Sequence, residues 1–81
     1  MNHPEDQKVL SAFGKQIRRM RIDTKLSQEN LADKAGVHRT YIGMIERGEK
    51  NITLITMHRI SIALGVSVID MIKGAFDGQW S

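Results

Sequence analysis

The side chains able to do chemistry are few, and their arrangement favours binding over catalysis. Three histidines (His3, His38 and His58) are not spaced with one another or with carboxylates in a way that would close a metal site. The absence of cysteine removes disulfides, thiolate nucleophiles and thiolate metal ligands. No serine sits in a nucleophile motif, and there is no glycine-rich phosphate loop. The residues therefore imply no enzyme, no metal and no cofactor. What they offer is guanidinium and ammonium groups, whose natural partners are polyanions. Nine basic residues lie between Lys15 and Lys50 (Lys15, Arg18, Arg19, Arg21, Lys25, Lys34, Arg39, Arg47 and Lys50), against five acidic ones. The two flanks together hold three basic and four acidic residues, so the excess of positive charge is confined to the middle. Such a distribution suits a surface that faces nucleic acid. A solvated charged face looks the same in composition, so the reading needs a motif.

The elements that would carry these groups are short helices. Val9, Phe13, Ile17 and Met20 recur at helical spacing, with Lys15, Arg18 and Arg19 turned away. Asp23 to Lys25 end that helix, and Leu26 follows as a buried joint. Ser27 is suited to cap a second helix through Ala35, which Gly36 stops. A third is expected from about Arg39 to Arg47, burying Ile42 and Ile45 and ending at Gly48. Thr53 would cap a fourth, with Leu54, Met57, Ile60 and Leu64 inward and Gly65 at its end. Ser67 would cap a fifth, carrying Val68, Ile69, Met71 and Ile72 and closing at Gly74, with a loose tail over 75–81 in which only Trp80 could dock. No segment alternates well enough to argue a strand, although 51–56 is rich in β-branched residues. The expected fold is all-α, a compact five-helix bundle in one domain with its core over about 7–73. At 81 residues it can hold a single small core.

The informative stretch is 28–47, QENLADKAGVHRTYIGMIER. Two helices that cross closely need a small residue at the contact and a tight turn between them, and Ala32 and Gly36 supply these. Leu31, Ala35, Val37, Ile42 and Ile45 then form the shared apolar patch. In these features, in Leu26-Ser27-Gln28, in Ile45-Glu46-Arg47-Gly48 and in Ala63-Leu64-Gly65-Val66, the chain resembles the XRE-type helix-turn-helix family that includes phage Cro and repressor proteins. The resemblance spans roughly Phe13 to Lys73 and implies a lambda repressor-like DNA-binding domain. Arg39-Thr40-Tyr41-Ile42, Ile45-Glu46-Arg47 and Asn51-Ile52-Thr53 are also similar to the controller proteins of restriction-modification systems.

With that fold, the N-terminal end of the third helix enters the major groove. Arg39 is then the strongest base reader, because its guanidinium can donate two parallel bonds to guanine O6 and N7. Thr40 can bond a base or touch a thymine methyl. Gly43 would either let the helix approach the bases or be a tolerated surface glycine, and Met44 would either touch a thymine methyl or cover the domain edge. Tyr41 is expected at the groove margin, against backbone or half-buried with a wet hydroxyl. His38 stands where the family usually places a serine or threonine cap and is counted with the backbone contacts instead. Gln28, by the resemblance, binds a phosphate at the start of the second helix, and Lys50, Asn51 and Thr53 another after the third. Arg18 adds to these, with Lys15 behind it. These contacts set affinity and register more than sequence preference. The resemblance also implies that Arg21 and Glu46 form a largely buried ion pair with a structural role.

One short recognition helix reads few bases, so such modules act in pairs on half-sites about 34–36 Å apart. Val68, Ile69, Met71, Ile72 and Phe76 offer more apolar surface than a small core needs, and are expected at a homodimer interface, with Ile55 or Ile62 beside them. The expected function is a sequence-specific, double-stranded-DNA-binding transcriptional regulator acting as a homodimer on a palindromic operator. The controller likeness adds autoregulation, and leaves room for two dimers on DNA and contact with RNA polymerase. The alternative from another class is an antitoxin, whose fifth helix and Trp80 would meet a toxin instead of a second copy. The longest apolar run is far below the ~20 residues that cross a bilayer, and the polar start lacks a secretory signal. The expected location is cytoplasmic, with no membrane partner.

Overall fold

The computed structural model of the chain describes residues 3–76. Five helices account for most of this span: α1 (Pro4–Asp23), α2 (Gln28–Ala35), α3 (Arg39–Glu46), α4 (Leu54–Leu64) and α5 (Val68–Phe76). Helix α1 packs against both α3 and α5, while α2 joins α3 to α4. Trp80 and the rest of 77–81 lie outside the described residues.

The helix boundaries follow local chemistry. Ser27 accepts a hydrogen bond from the Asn30 amide at 2.9 Å, Thr53 from Thr56 at 3.1 Å and Ser67 from Asp70 at 2.9 Å. Each satisfies an N–H group that has no partner inside its own helix. Gly36 and Gly65 close α2 and α4 in the left-handed region, at φ 72° and 73°. Lys25 also has positive φ, 62°, after the end of α1. A side chain in that conformation costs about 1 kcal/mol, tolerated here because it turns Leu26 onto the core.

Helix α1 begins earlier than its apolar periodicity. Pro4 takes its first position, and Asp6 accepts from the His3 amide at 3.0 Å. Proline and carboxylates suit a first turn without any apolar residue, so the segment reads as a polar leader in sequence yet folds as helix.

The core draws on every helix: Phe13 and Ile17, Leu31, Ala32 and Ala35, Ile42 and Ile45, Ile60 and Leu64, Met71 and Ala75. Three expectations need correction. Leu54, assigned to the inner face of α4, is 69% exposed, since it lies at the first helical position, one turn from the buried row. Helix α5 does not close at Gly74 but continues to Phe76, with Ala75 buried and Phe76 packed on the core, so the tail does not begin at residue 75. Gly74 is used for close approach: a Cβ there would collide with the Gln16 side-chain amide. Gln16 is buried between α1 and α5, and its Oε1 has no hydrogen-bond partner among the described residues. Thirdly, Met71 is fully enclosed in the single chain and cannot serve a dimer surface.

Candidate nucleic-acid interface

Helix α3 buries Ile42 and Ile45 and leaves the start of its outer face in solvent, where Arg39 and Thr40 are exposed. Its first turn is fastened by His38, whose Nδ1 accepts from the Thr40 amide at 3.1 Å. The imidazole is therefore the cap of α3, a role the serine-or-threonine pattern did not suggest for it. A His38→Ala variant loses that acceptor and is expected to be about 1 kcal/mol less stable by thermal unfolding.

The candidate readers differ in accessibility. Arg39 extends across the starts of α3 and α2, and its Nη1 donates to Glu29 Oε2 at 3.4 Å. Tyr41 is half-buried and packs on the core, and Met44 is half-buried. Gly43 was expected among the base contacts, but it is buried under neighbouring side chains. A Cβ there would lie 3.1 Å from Arg47 Nη1 and 3.4 Å from Gln28 Oε1. The start of α2 passes over α3 at this point, so the missing side chain makes room for Arg47 and Gln28.

Beneath these groups lies a polar joint between α1, α2 and α3. Arg21 Nε donates to Glu46 Oε2 at 2.6 Å and Nη2 to Glu46 Oε1 at 3.0 Å, while Nη1 donates to the Leu26 carbonyl at 2.9 Å. Gln28 Nε2 donates to Glu46 Oε1 at 3.0 Å. The Glu46 side chain is only 3% exposed and that of Arg21 12%, so both charges are largely withdrawn from water. Hydrogen bonding to Glu46 raises the Arg21 guanidinium above its ordinary range, with burial opposing and charge attraction adding. Each carboxylate oxygen is satisfied, which is the condition for keeping such a pair inside a fold. The joint sets α3 against α1 and holds one amide hydrogen of Gln28.

Close approach does the rest. Gly14 is buried where α1 meets α3, and a Cβ on it would run into the Ile45 carbonyl oxygen and lie 2.8 Å from that of Glu46. Past α3, Gln7 Nε2 donates to the Gly48 carbonyl at 3.1 Å, tying the first turns of α1 to the loop. Arg47 pairs with Glu49 through bonds of 2.9 and 3.2 Å. That pairing raises Arg47 and lowers Glu49 from their usual ranges, hydrogen bonding being the main cause in each. Lys50 and Asn51 are exposed beyond it. Thr53 is exposed too, but its hydroxyl is committed to capping α4 and bonding Thr56 Oγ1 at 3.0 Å. Arg18 is exposed in the helical row between Gly14 and Arg21, the edge of α1 nearest α3, whereas Lys15 lies farther round.

The expected dimer residues are also divided. Ile69 is 75% exposed and Ile72 39%, Val68 and Phe76 are half-buried, and Met71 belongs to the core. On α4, Ile55 and Ile62 are 63% and 66% exposed. No single helix among the described residues is long and apolar enough to cross a membrane.

Comparison with known proteins agrees with this architecture. Residues 17–70 match the family model described as helix-turn-helix. The chain is 44% identical over 61 residues to the control protein C.BamHI of Bacillus amyloliquefaciens, covering 74% of this chain and 75% of that protein. It is 48% identical over 60 residues to the control protein C.SmaI of Serratia marcescens, covering 74% and 71%. Its backbone superposes on the restriction-modification controller protein C.AhdI of Aeromonas hydrophila with a TM-score of 0.76 at 35% identity, over 76% of this chain and 94% of that one. With the fold, the capped recognition helix and these relatives in agreement, the chain belongs to the XRE-type helix-turn-helix family and is a DNA-binding transcriptional regulator.

Proposed function

We propose that this regulator is the controller protein of a restriction-modification system, binding as a homodimer to a two-fold symmetric operator and governing its own transcription. The observation that supports it most is the exposed, capped start of α3, which presents Arg39 and Thr40 in a chain similar to controller proteins. Arg39 reads guanine through two parallel bonds, Thr40 reads beside it, and Met44 touches the groove wall. Gln28, Tyr41, Arg18, Lys50 and Asn51 grip the backbone. His38 and Thr53 act as caps, and so contribute by holding helix starts toward the phosphates.

Pairing is supported by Ile55, Ile62, Ile69 and Ile72, large apolar side chains left in water on α4 and α5. Exposed singly such residues mean little, but four on consecutive helices form a surface worth covering. Two dimers on one operator would let occupancy switch the direction of regulation, with RNA polymerase as the competing or recruited partner. The protein acts in the cytoplasm, without a cofactor and without catalysis of its own.

Selection of bound sites from random duplex DNA, at stated salt and with Arg39→Ala in parallel, tests the reading. The expected result is a two-fold symmetric site whose guanine preference relaxes in the variant at a cost of about 1–3 kcal/mol. Weak, salt-sensitive binding with no enriched sequence would refute it.

A further inference from the structure

From the contact between Arg39 and Glu29 we infer that Glu29 is a specificity-determining residue, which holds the Arg39 guanidinium for guanine and withholds it from phosphates. The inference rests on the reading of Arg39 as the base reader. Glu29 lies in the first turn of α2 and Arg39 in the first turn of α3, and crossing of the two helices brings their starts together. Both side chains are about two-thirds exposed, at 65% and 67%, so no core packing requires the pair. The carboxylate suits its position, because the free N–H groups of a first helical turn favour negative charge.

The geometry suits simultaneous use. A guanidinium carries five N–H donors, and it can present a parallel pair either from its two terminal nitrogens or from Nε and one terminal nitrogen. Glu29 takes Nη1 alone. Among the described residues the Nε–Nη2 edge has no partner, which leaves it to meet guanine O6 and N7 while the carboxylate steadies the opposite corner. The charges bear on discrimination as well. An unpaired arginine at the groove attracts any phosphate, and each phosphate neutralised adds sequence-independent affinity. Paired with Glu29, Arg39 contributes almost no net charge, so its affinity comes from bonds that only the right base completes. A buried ion pair would hold it too rigidly to adapt, whereas this long, exposed contact leaves the arm able to settle on the base.

The test uses Glu29→Gln and Glu29→Asp in the full chain, with binding measured on the selected site, on the same site with its contacted guanine replaced, and on mixed-sequence duplex. Glutamine removes the charge, and aspartate keeps it but draws the carboxylate back by one methylene. Both variants are expected to lower the preference for guanine by about two- to fivefold, the range of an exposed ion pair. Only the glutamine variant is expected to bind mixed-sequence DNA more tightly, with a plot of log affinity against log salt steeper by about one. Thermal unfolding should be nearly unchanged in both. If guanine preference is unaltered in both variants while Arg39→Ala abolishes it, the inference is overturned and the reading of Arg39 survives. If Arg39→Ala leaves that preference intact, the reading of Arg39 falls and the inference falls with it.

Discussion

Glu46→Ala is expected to lose about 3–5 kcal/mol of stability, because it strands the Arg21 guanidinium with no counter-charge in a site largely closed to water. The same change takes a bond from Gln28, so α1, α2 and α3 loosen together. Domains of this size are stable by only about 5–15 kcal/mol, which makes the loss a large part of the total. DNA binding by the variant would fall accordingly, through unfolding rather than through a lost contact. Urea denaturation followed by circular dichroism measures this directly. Combining Arg21→Met with Glu46→Leu should recover most of the loss, since apolar residues of similar size can replace a buried pair at little net cost. A single Glu46→Ala variant with an unaltered midpoint would show that the pair carries no structural role.

Gly14→Val should have the next largest effect, destabilising by about 3 kcal/mol, the upper end of the range for overpacking. The atoms a side chain would meet are the carbonyls of Ile45 and Glu46, and backbone cannot rotate away as a flexible side chain does. Helix α3 would have to move off α1, separating Glu46 from Arg21 as it goes. For a domain of this length such a loss lowers the melting temperature by roughly 12–24 °C. Calorimetry checks the figure, and the surviving folded protein should bind DNA more weakly because α3 is displaced. A melting point within a degree or two of the parent would mean that the two helices have slack at this crossing.

The helix-turn-helix was legible in sequence because its determinants are local. Ser27, Gly36, Thr53 and Gly65 announce helix ends through hydrogen bonds and backbone conformations that span only a few residues. Ile42, Ile45, Ile60 and Leu64 declare inner faces by spacing alone. The pairing of Arg21 with Glu46 was legible only through family resemblance, since 25 residues separate them and no periodicity links them. Arg39 and Thr40 were expected at the exposed start of α3, and that is where the structure places them.

What sequence could not disclose depends on which helix lies against which. Gly14 was a visible hint, an unfavourable residue inside a helix, but its reason exists only once α3 crosses it. Gly43 invited a reading toward DNA, and the crossing of α2 turned it into a seat for Gln28 and Arg47. Met71 and Ile72 are adjacent and alike in chemistry, yet one is enclosed and the other is 39% exposed, because α1 covers only one side of α5. His38 became a cap because the turn aims Nδ1 at the Thr40 amide. Local chemistry thus determined where this chain forms helices, and family resemblance pointed to α3 as the one to face DNA. Tertiary packing decided which polar groups are spent inside the protein and which remain for a ligand, because each such group is settled by a neighbour distant in sequence.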